Sequence, residues 1–237
     1  MDCRYNDQWM ALPSLIVNLH FSGDVMNQKL INQLLLYAIT CENIELNTLL
    51  RQVEEALEGG ATLLQLREKS MDEETYLRRA VEVKKVCDRY NVPLIIDDSV
   101  NVALKCAAAG VHIGQKDIDL VSARKILGSD RIVGVSAKNV EQAKRAEDCG
   151  ADYLGVGAIY PTDTKKDYTS TSIETLKDIC KSVSIPVVAI GGIKLHNIEP
   201  LKGSGIVGVA IVTGIFAAPD VKKASRELRA KAEELFT

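Results

Sequence analysis

Short apolar runs alternate with amphipathic stretches along most of the chain. Eight runs are apolar at successive positions, as expected of strands buried on both faces of a sheet; they cover 34–40, 63–67, 94–97, 111–113, 132–136, 153–156, 187–190 and 207–211. Between them, apolar residues recur at helical spacing, as in the face formed by Leu49, Val53, Ala56 and Leu57, in the stretch 76–87 and in the segments 121–127, 140–149, 173–181, 195–201 and 224–235. This alternation predicts a parallel sheet of the α/β class.

The joints between predicted helices and strands contain glycine. Gly60, Gly110 and Gly150 each stand just before or at the start of an apolar run, where glycine is suited to end a helix. Eight strand–helix units in unbroken order predict a single closed (β/α)8 barrel, also called a TIM barrel. An open doubly wound sheet is the second interpretation, but the order of units shows no clear reversal.

The first 33 residues do not follow the alternation. We therefore divide the chain into an N-terminal extension, 1–33, and a barrel domain, 34–237. The extension is either helical or partly disordered. Met26 stands close to the first predicted strand and could be the true start, or the segment could form a short helix that caps the barrel bottom.

Composition indicates an ordinary globular protein. The chain has 237 residues, 46% of them hydrophobic and 26% charged, which is enough for one large domain with a substantial core. A net charge of -3 gives no reason to expect nucleic acid or an anionic membrane as a partner. Six scattered cysteines, no run of membrane-spanning length and a poor secretory signal favour the cytoplasm. The sequence leaves the assembly open, a homo-oligomer included.

The second predicted strand ends in charged residues. Arg67, Glu68 and Lys69 follow directly on the apolar residues, and buried packing gives no reason for such an ending. Functional side chains of parallel barrels gather at the carboxyl ends of strands, and paired cations there suit a highly charged anion such as pyrophosphate. The alternative is a solvated cluster in which Arg67 and Glu68 form an ion pair.

Acidic residues follow the next two strands. Asp97 and Asp98 end the third strand, and Asp117 follows the fourth. Because consecutive barrel strands are neighbours, Asp98 and Asp117 are expected to approach one another beside Arg67 and Lys69. Two carboxylates suit Mg2+ when phosphate oxygens and water complete its coordination. The alternative is that Asp97 or Asp98 caps the following helix.

Three polar features carry weaker signals. His112 is predicted to be a packed strand residue without a catalytic role. Ser136, at the end of the fifth strand, either contacts a ligand or caps the helix that begins near Asn139, and the cap is favoured when Ser136 is taken alone. The loop after the sixth strand is rich in hydroxyls and lysines, which is typical of a lid or a phosphate-contacting loop, although a plain solvated loop is the simpler alternative.

The last two strands end in glycine-containing loops. Gly191 and Gly192 follow the seventh strand, and Thr213 and Gly214 follow the eighth. Glycine lets backbone N–H groups approach a phosphate, and this end of a barrel is its usual phosphate site. We therefore predict two anion sites, one for a metal-bound pyrophosphate and one for a monophosphate. Between them the sequence shows no evident general base or nucleophile, which favours chemistry driven by a departing charged group.

Six motifs in continuous order resemble those of the thiamine-phosphate synthase family. They are QLREK at 65–69, GVHIGQKD at 110–117, GVS at 134–136, ADYLGVG at 151–157, PTDTK at 161–165 and VAIGGI at 188–193. The likeness runs from about residue 36 to the C-terminus. Each motif alone is weak, but agreement of all six in order is not expected by chance.

The resemblance implies a transferase that acts on two phosphorylated heterocycles. It would join 4-amino-2-methyl-5-(diphosphooxymethyl)pyrimidine to 4-methyl-5-(2-phosphooxyethyl)thiazole, with thiamine phosphate and pyrophosphate as products. The reaction implied is dissociative and requires Mg2+: pyrophosphate leaves first, and the thiazole nitrogen captures the pyrimidine methyl cation.

Roles are carried over from the family by position. The metal ligands implied are Asp98 and Asp117. The substrate-binding residues implied are Gln65, Leu66, Arg67, Glu68, Lys69, Asp97, Ser136, Thr162, Asp163, Thr164, Lys165, Gly192, Val212 and Thr213. Among these, the catalytic residues implied are Arg67, Lys69, Ser136 and Lys165.

Two departures from the family pattern bear on this assignment. Asp97 stands where the family usually has Asn, and the extra carboxylate either strengthens metal binding or repels pyrophosphate. Thr213 replaces the usual Ser and keeps the hydroxyl. The second interpretation is a non-catalytic or thiazole tautomerase-like relative on the same barrel; such relatives tend to lose the acids and cations that this chain keeps. A sugar-phosphate isomerase would need a paired general acid and base, which we do not find in the sequence.

Overall fold

The computed structural model describes residues 28–162 and 170–237. Eight parallel strands close into a barrel in sequence order, and the closing contact joins the first strand to the last. The strands are β1 (Leu36–Ile39), β2 (Leu63–Leu66), β3 (Leu94–Asp97), β4 (Gly110–Ile113), β5 (Ile132–Ala137), β6 (Tyr153–Val156), β7 (Val187–Ile190) and β8 (Gly208–Ile211). The predicted TIM barrel is confirmed, and the open doubly wound sheet is wrong.

Helices surround the barrel. Residues 28–34 are helical (α1), and the others are α2 (Leu46–Glu58), α3 (Glu73–Arg89), α4 (Val100–Lys105), α5 (Leu120–Leu127), α6 (Val140–Asp148), α7 (Ile173–Ser182), α8 (Thr213–Phe216) and α9 (Val221–Phe236). The helix predicted at 195–201 is wrong, since only Glu199–Leu201 form a 3-10 turn. Asn197 explains this, because its side chain accepts from the Lys194 N–H and donates to the Gly192 carbonyl, which stabilises a turn there.

Side-chain caps decide where two of these helices begin. Ser99 caps α4 by accepting from the N–H of Val102, and Asn139 caps α6 by accepting from the N–H of Gln142. The capping alternatives for Asp97, Asp98 and Ser136 are therefore wrong, because other side chains already serve those helix ends.

Strand side chains alternate between two cores. The outer core lies between strands and helices and includes the predicted α2 face of Leu49, Val53, Ala56 and Leu57, all of which are buried. The inner core fills the lumen and contains Leu34, Tyr37, Ile39, Leu63, Ile95, Tyr153, Val188 and Ala210. Leu30 of α1 packs against this inner core. Residues 1–27 lie outside the described residues, so the division of the chain at residue 34 stays a prediction.

Two further findings concern the described part of the chain. Its cysteines are all free, namely Cys41, Cys87, Cys106, Cys149 and Cys180. None of the helices that are described has both the length and the apolar character needed to cross a bilayer.

Candidate active site

The ends of β2 and β3 bring four charged side chains together. The Lys69 ammonium lies 3.0 Å from Oδ2 of Asp97 and also pairs with the carboxylate of Asp98. The Nε atom of Arg67 lies 3.6 Å from the same Asp97 oxygen. The structure thus places two cations and two carboxylates in one cluster at the C-terminal rim of the barrel.

Backbone geometry turns Asp98 toward this cluster. Its φ of 54° lies in the left-handed region, which Asp tolerates better than most residues. The N–H of Asp98 donates to the His112 carbonyl at 2.8 Å, which fixes the turn against β4. Backbone conformations of this kind cost of order 1–3 kcal/mol and cluster at functional sites.

Asp117 reaches the same region from the loop after β4. Its Oδ2 accepts from the N–H of Gly114 at 2.7 Å, which closes the loop on itself. Burial raises the pKa of Asp98; Lys69 opposes this shift, while the charges of Asp97 and Asp117 add to it. Asp98 and Asp117 are therefore close enough to interact electrostatically.

The carboxylates of this cluster fit a magnesium ion. Among residues 28–162 and 170–237, no three Cys, His, Asp or Glu side chains are gathered as a preformed metal site. Magnesium does not need one, since one or two carboxylates with substrate phosphates and water suffice. The donor chemistry of Asp98 and Asp117 matches this requirement, and their mutual repulsion is what a cation would relieve.

Glu42, in the loop after β1, is a member of the cluster that sequence reasoning missed. Its carboxylate pairs with the guanidinium of Arg67, whose backbone N–H donates to Thr40 Oγ1 at 3.0 Å. Both interactions join residues distant along the chain. The available signal was an acidic residue just beyond the first strand, at the same rim as the others.

Glu68 and Leu66 are buried at the end of β2. The Glu68 carboxylate is buried and lies 2.9 Å from Nη2 of Arg79, an α3 residue that also donates to the Ile44 carbonyl at 2.6 Å. Burial raises the pKa of Glu68, and Arg79 opposes that shift. Leu66 is fully buried in the outer core. The Arg67–Glu68 ion pair of the alternative interpretation is wrong, because each residue pairs elsewhere. Substrate contact by Leu66 and Glu68 stays a prediction.

A cleft of about 480 Å3 connects Arg67 to the opposite side of the rim. The predicted site residues in its wall are Arg67, Thr162, Gly192, Val212 and Thr213. It is also lined by residues that were not predicted, which are Cys41, Glu42, Asn43, Pro161 and Lys194. Asp163, Thr164 and Lys165 lie outside the described residues.

Gly192 permits close contact between the loops after β6 and β7. Its φ is 66°, and a Cβ atom there would lie 2.5 Å from the carbonyl oxygen of Pro161 and 2.8 Å from Cβ of Tyr160. The N–H of Tyr160 donates to the Gly191 carbonyl at 3.0 Å. This wall of the cleft is therefore shaped by backbone.

Ser136 and Gln65 occupy the barrel interior beneath the rim. Ser136 Oγ lies 2.9 Å from Nε2 of His112, and its carbonyl accepts from Gln115 at 2.7 Å. The Gln65 amide donates to the hydroxyl of Tyr37 at 2.6 Å. His112 is buried, as predicted. Its hydrogen bonds to Ser136 on β5 and Tyr153 on β6 could not be predicted from the spacing of these residues along the chain.

Fold and rim together define a class of protein: a parallel (β/α)8 barrel with a cluster of cations and carboxylates facing glycine-rich loops across one cleft. Comparison with known proteins makes the class specific. The family model described as thiamine monophosphate synthase matches residues 36–215. The thiamine-phosphate synthase of Clostridium tetani is 51% identical over 194 residues, which cover 81% of this chain and 93% of that relative.

Solved structures agree with this comparison. The thiamine phosphate pyrophosphorylase of Pyrococcus furiosus superposes with a TM-score of 0.79 at 38% identity, covering 88% of this chain and all of that one. A 3-hexulose-6-phosphate synthase superposes with a TM-score of 0.67 at 16% identity, and this likeness shows the fold alone. The chain belongs to the thiamine-phosphate synthase family, whose members are transferases, and the tautomerase-like alternative is not favoured.

Proposed function

We propose that this protein joins the pyrimidine diphosphate to the thiazole monophosphate and releases thiamine phosphate and pyrophosphate. The observation that carries the proposal is the cleft itself, which has Arg67 on one side and Gly192 on the other. On the first side Arg67 and Glu42 line the cleft and belong to the charged cluster that would take a diphosphate, and the other side offers backbone, the Thr213 hydroxyl and Lys194 for a monophosphate. Family membership supports the same pair of substrates.

The charged side stabilises the leaving group. Arg67 and Lys69 donate hydrogen bonds to the diphosphate oxygens, which gain negative charge as the bond between the pyrimidine methylene and oxygen breaks. When bound, Mg2+ would be held by Asp98 and Asp117 and would neutralise part of that charge. The bonding electron pair leaves with pyrophosphate, so the pyrimidine becomes a cation.

The glycine side positions the nucleophile. Gly192, Val212 and Thr213 hold the thiazole phosphate, with the Thr213 hydroxyl and backbone N–H groups as donors. The thiazole nitrogen then supplies its own lone pair to form the new carbon–nitrogen bond. No proton is transferred, so no general base is needed, and alignment of the two rings contributes the remaining acceleration.

Asp97 positions the two cations Arg67 and Lys69. Its carboxylate contacts both Lys69 and Arg67, so its negative charge is already compensated before substrate arrives. We therefore assign it to holding the two cations in position, a third role beside the stronger metal binding and the repulsion of pyrophosphate considered above. The expected result is that Asp97→Asn retains activity.

Location and organisation are also part of the proposal. Free thiols in the described residues and the absence there of a membrane-spanning helix support the cytoplasm as its compartment. The net charge of -3 supports small-molecule substrates without nucleic acid or membrane partners. The barrel domain is proposed to begin near residue 34, and a homo-oligomer is left open.

One assay tests the proposed function. The protein is incubated with both heterocycles and Mg2+, and thiamine phosphate and pyrophosphate are quantified by chromatography. We expect both products in equal amounts, and no thiamine phosphate when the thiazole phosphate or the protein is omitted. A folded protein that forms no thiamine phosphate under these conditions would overturn the proposal.

A further inference from the structure

Glu42 occupies part of the donor surface of Arg67 in the cleft. Its carboxylate pairs with Nη1 of the Arg67 guanidinium, and both residues line the cleft. The Arg67 side chain is 11% exposed, whereas that of Glu42 is 22% exposed. The guanidinium therefore offers little free surface to a ligand in this state, and the carboxylate that pairs with it is the more accessible of the two partners.

The charged side of the rim has one carboxylate more than its other roles use. Asp97 already contacts both cations, and Asp98 and Asp117 have the donor chemistry of a magnesium site. Glu42 has neither task, since it pairs with a cation that Asp97 also contacts. A carboxylate in the wall of an anion site weakens anion binding by charge repulsion. The role of Glu42 is therefore sought in the control of affinity.

The backbone on both sides of Glu42 is anchored, so that only its side chain has to move. The hydroxyl of Thr40 accepts from the N–H of Arg67 at 3.0 Å. On the other side, the Ile44 carbonyl accepts from Nη2 of Arg79 at 2.6 Å. Rotation of the Glu42 side chain into the open cleft would release the Arg67 guanidinium without any displacement of the loop.

We propose that Glu42 is a positioning residue that occupies Arg67 in the unliganded site and is displaced by the diphosphate. The inference rests on the proposed function, in which Arg67 binds the diphosphate group. A site whose binding-competent state is only partly populated has a lower apparent affinity for its ligand. Occupation of the guanidinium by Glu42 therefore weakens diphosphate binding, and the return of Glu42 after the reaction favours the release of pyrophosphate.

The effect differs between substrate and product. In the pyrimidine diphosphate, one phosphate oxygen is bonded to carbon. Cleavage leaves the bonding electron pair on that oxygen, so pyrophosphate carries one more negative charge than the substrate at equal protonation. The Glu42 carboxylate repels the more highly charged ligand more strongly. Glu42 is therefore expected to limit inhibition by the product more than it limits binding of the substrate.

Calorimetric titration of pyrophosphate with Mg2+ into the protein tests the displacement without turnover. In Glu42→Gln, which keeps the shape of the side chain and removes its charge, we expect the dissociation constant of pyrophosphate to fall about tenfold. Glu54→Gln is the matched control, because it neutralises one carboxylate of an exposed ion pair with Arg89 and should keep the wild-type value. Unchanged or weaker binding in Glu42→Gln would show that Glu42 orients Arg67 for the ligand, which overturns the proposal.

A double-mutant cycle separates displacement from the effect of background charge. In an Arg67→Ala background, Glu42 has no guanidinium to occupy, so Glu42→Gln should change the affinity for pyrophosphate less than twofold. A gain equal to that in the wild-type background would mean that Glu42 acts as a charge alone, and would overturn the proposal. If Glu42→Gln does not fold, Glu42→Asp replaces it in both backgrounds, because its shorter side chain withdraws the carboxylate from the guanidinium.

Turnover tests the consequence for the reaction. In Glu42→Gln the inhibition constant of pyrophosphate should fall about tenfold, KM for the pyrimidine diphosphate should fall by less, and KM for the thiazole phosphate should stay constant. Equal falls for substrate and product would overturn the claim that Glu42 favours product release. A wild-type protein that forms no thiamine phosphate, while its Glu42→Gln variant binds pyrophosphate more tightly, would overturn the proposed function and leave the displacement of Glu42 standing.

Discussion

The two sides of the rim differ in the groups that line them. Around Arg67 and Lys69 the wall consists of long charged side chains held by ion pairs with Glu42, Asp97 and Asp98. Around Gly192 it consists largely of backbone, held in a left-handed turn against the neighbouring loop, and Lys194 is the charged side chain that lines the cleft beside it. The first side is organised by charge and the second by shape.

This difference predicts two kinds of sensitivity. Ion pairs at a partly exposed rim are screened by salt and can exchange partners when a phosphorylated ligand arrives. A backbone turn has no charge to screen, but it tolerates no added side chain. Binding of pyrophosphate should therefore depend on salt, metal and single charges, whereas binding of the monophosphate should depend on local backbone geometry.

The largest effect is expected on the charged side from Arg67→Ala. Loss of the guanidinium removes a donor to the leaving group and leaves Glu42 and Asp97 with less compensation, so kcat should fall about 100- to 1000-fold. Inhibition by pyrophosphate should weaken, and KM for the thiazole phosphate should stay constant. Arg51→Ala, in an exposed ion pair on α2, is the control. Equal weakening of the binding of pyrophosphate and of the thiazole phosphate would contradict the division of the rim into two anion sites.

Asp117→Asn should reduce activity by about 100-fold at low Mg2+, since the variant keeps an acceptor for the Gly114 N–H but loses the charge that binds metal. Added Mg2+ should restore part of the rate. Asp88→Asn removes a charge from an exposed ion pair with Lys84, and the activity of this control should respond to added Mg2+ as that of the wild type does. Turnover that is unchanged in Asp117→Asn would remove Asp117 from the metal site.

On the shape side, Gly192→Ala should raise KM for the thiazole phosphate about tenfold, because strain at positive φ and the clash with Pro161 displace the loop. Gly203→Ala is a close control: its φ is 70°, but a Cβ atom there meets nothing within 4 Å. Both variants should lose similar backbone stability. Affinity for pyrophosphate should stay the same in each, and a matching loss of thiazole phosphate binding in Gly203→Ala would show that the effect is global.

The smallest effect is expected from Thr213→Ala. Removal of one hydroxyl from the monophosphate side should raise KM for the thiazole phosphate about threefold, at the low end for a single hydrogen bond, because the backbone N–H donors to the same phosphate remain. Thr213→Ser keeps the hydroxyl and should behave like the wild type. If Ser and Ala variants are equally impaired, the methyl group of Thr213 matters and the hydroxyl does not.

The sequence predicts the barrel well because strands buried on both faces leave continuous apolar runs that are visible without spatial information. It also predicts Arg67, Lys69, Asp98 and Asp117 as neighbours, since strand ends of a parallel barrel share one rim. Glu42 is missed because its partner Arg67 lies on another strand, and one acidic residue in a loop carries little signal alone. The ion pair of Glu68 with Arg79 is not predicted either, because Arg79 comes from the following helix.

Sequence reasoning could not predict the hydrogen bonds that join His112 to Tyr153 and Ser136 inside the barrel. His112 and Tyr153 look like ordinary packed strand residues, and Ser136 is predicted only as a ligand contact or a helix cap. Their connection depends on which side chains point inward at which height of the barrel, which follows from the register between strands. The helix at 195–201 is wrongly predicted because the apolar spacing alone indicates a helix. The hydrogen bonds of the Asn197 side chain to nearby backbone stabilise a turn there instead.

Calorimetric titration of thiazole phosphate into the protein, with and without saturating pyrophosphate and Mg2+, tests the central claim most directly. Two separate anion sites at one rim predict that both ligands bind at once, with one equivalent of each, and that Arg67→Ala weakens only pyrophosphate while Gly192→Ala weakens only the thiazole phosphate. Mutual exclusion of the two ligands would show that they compete for a single site and would contradict the account.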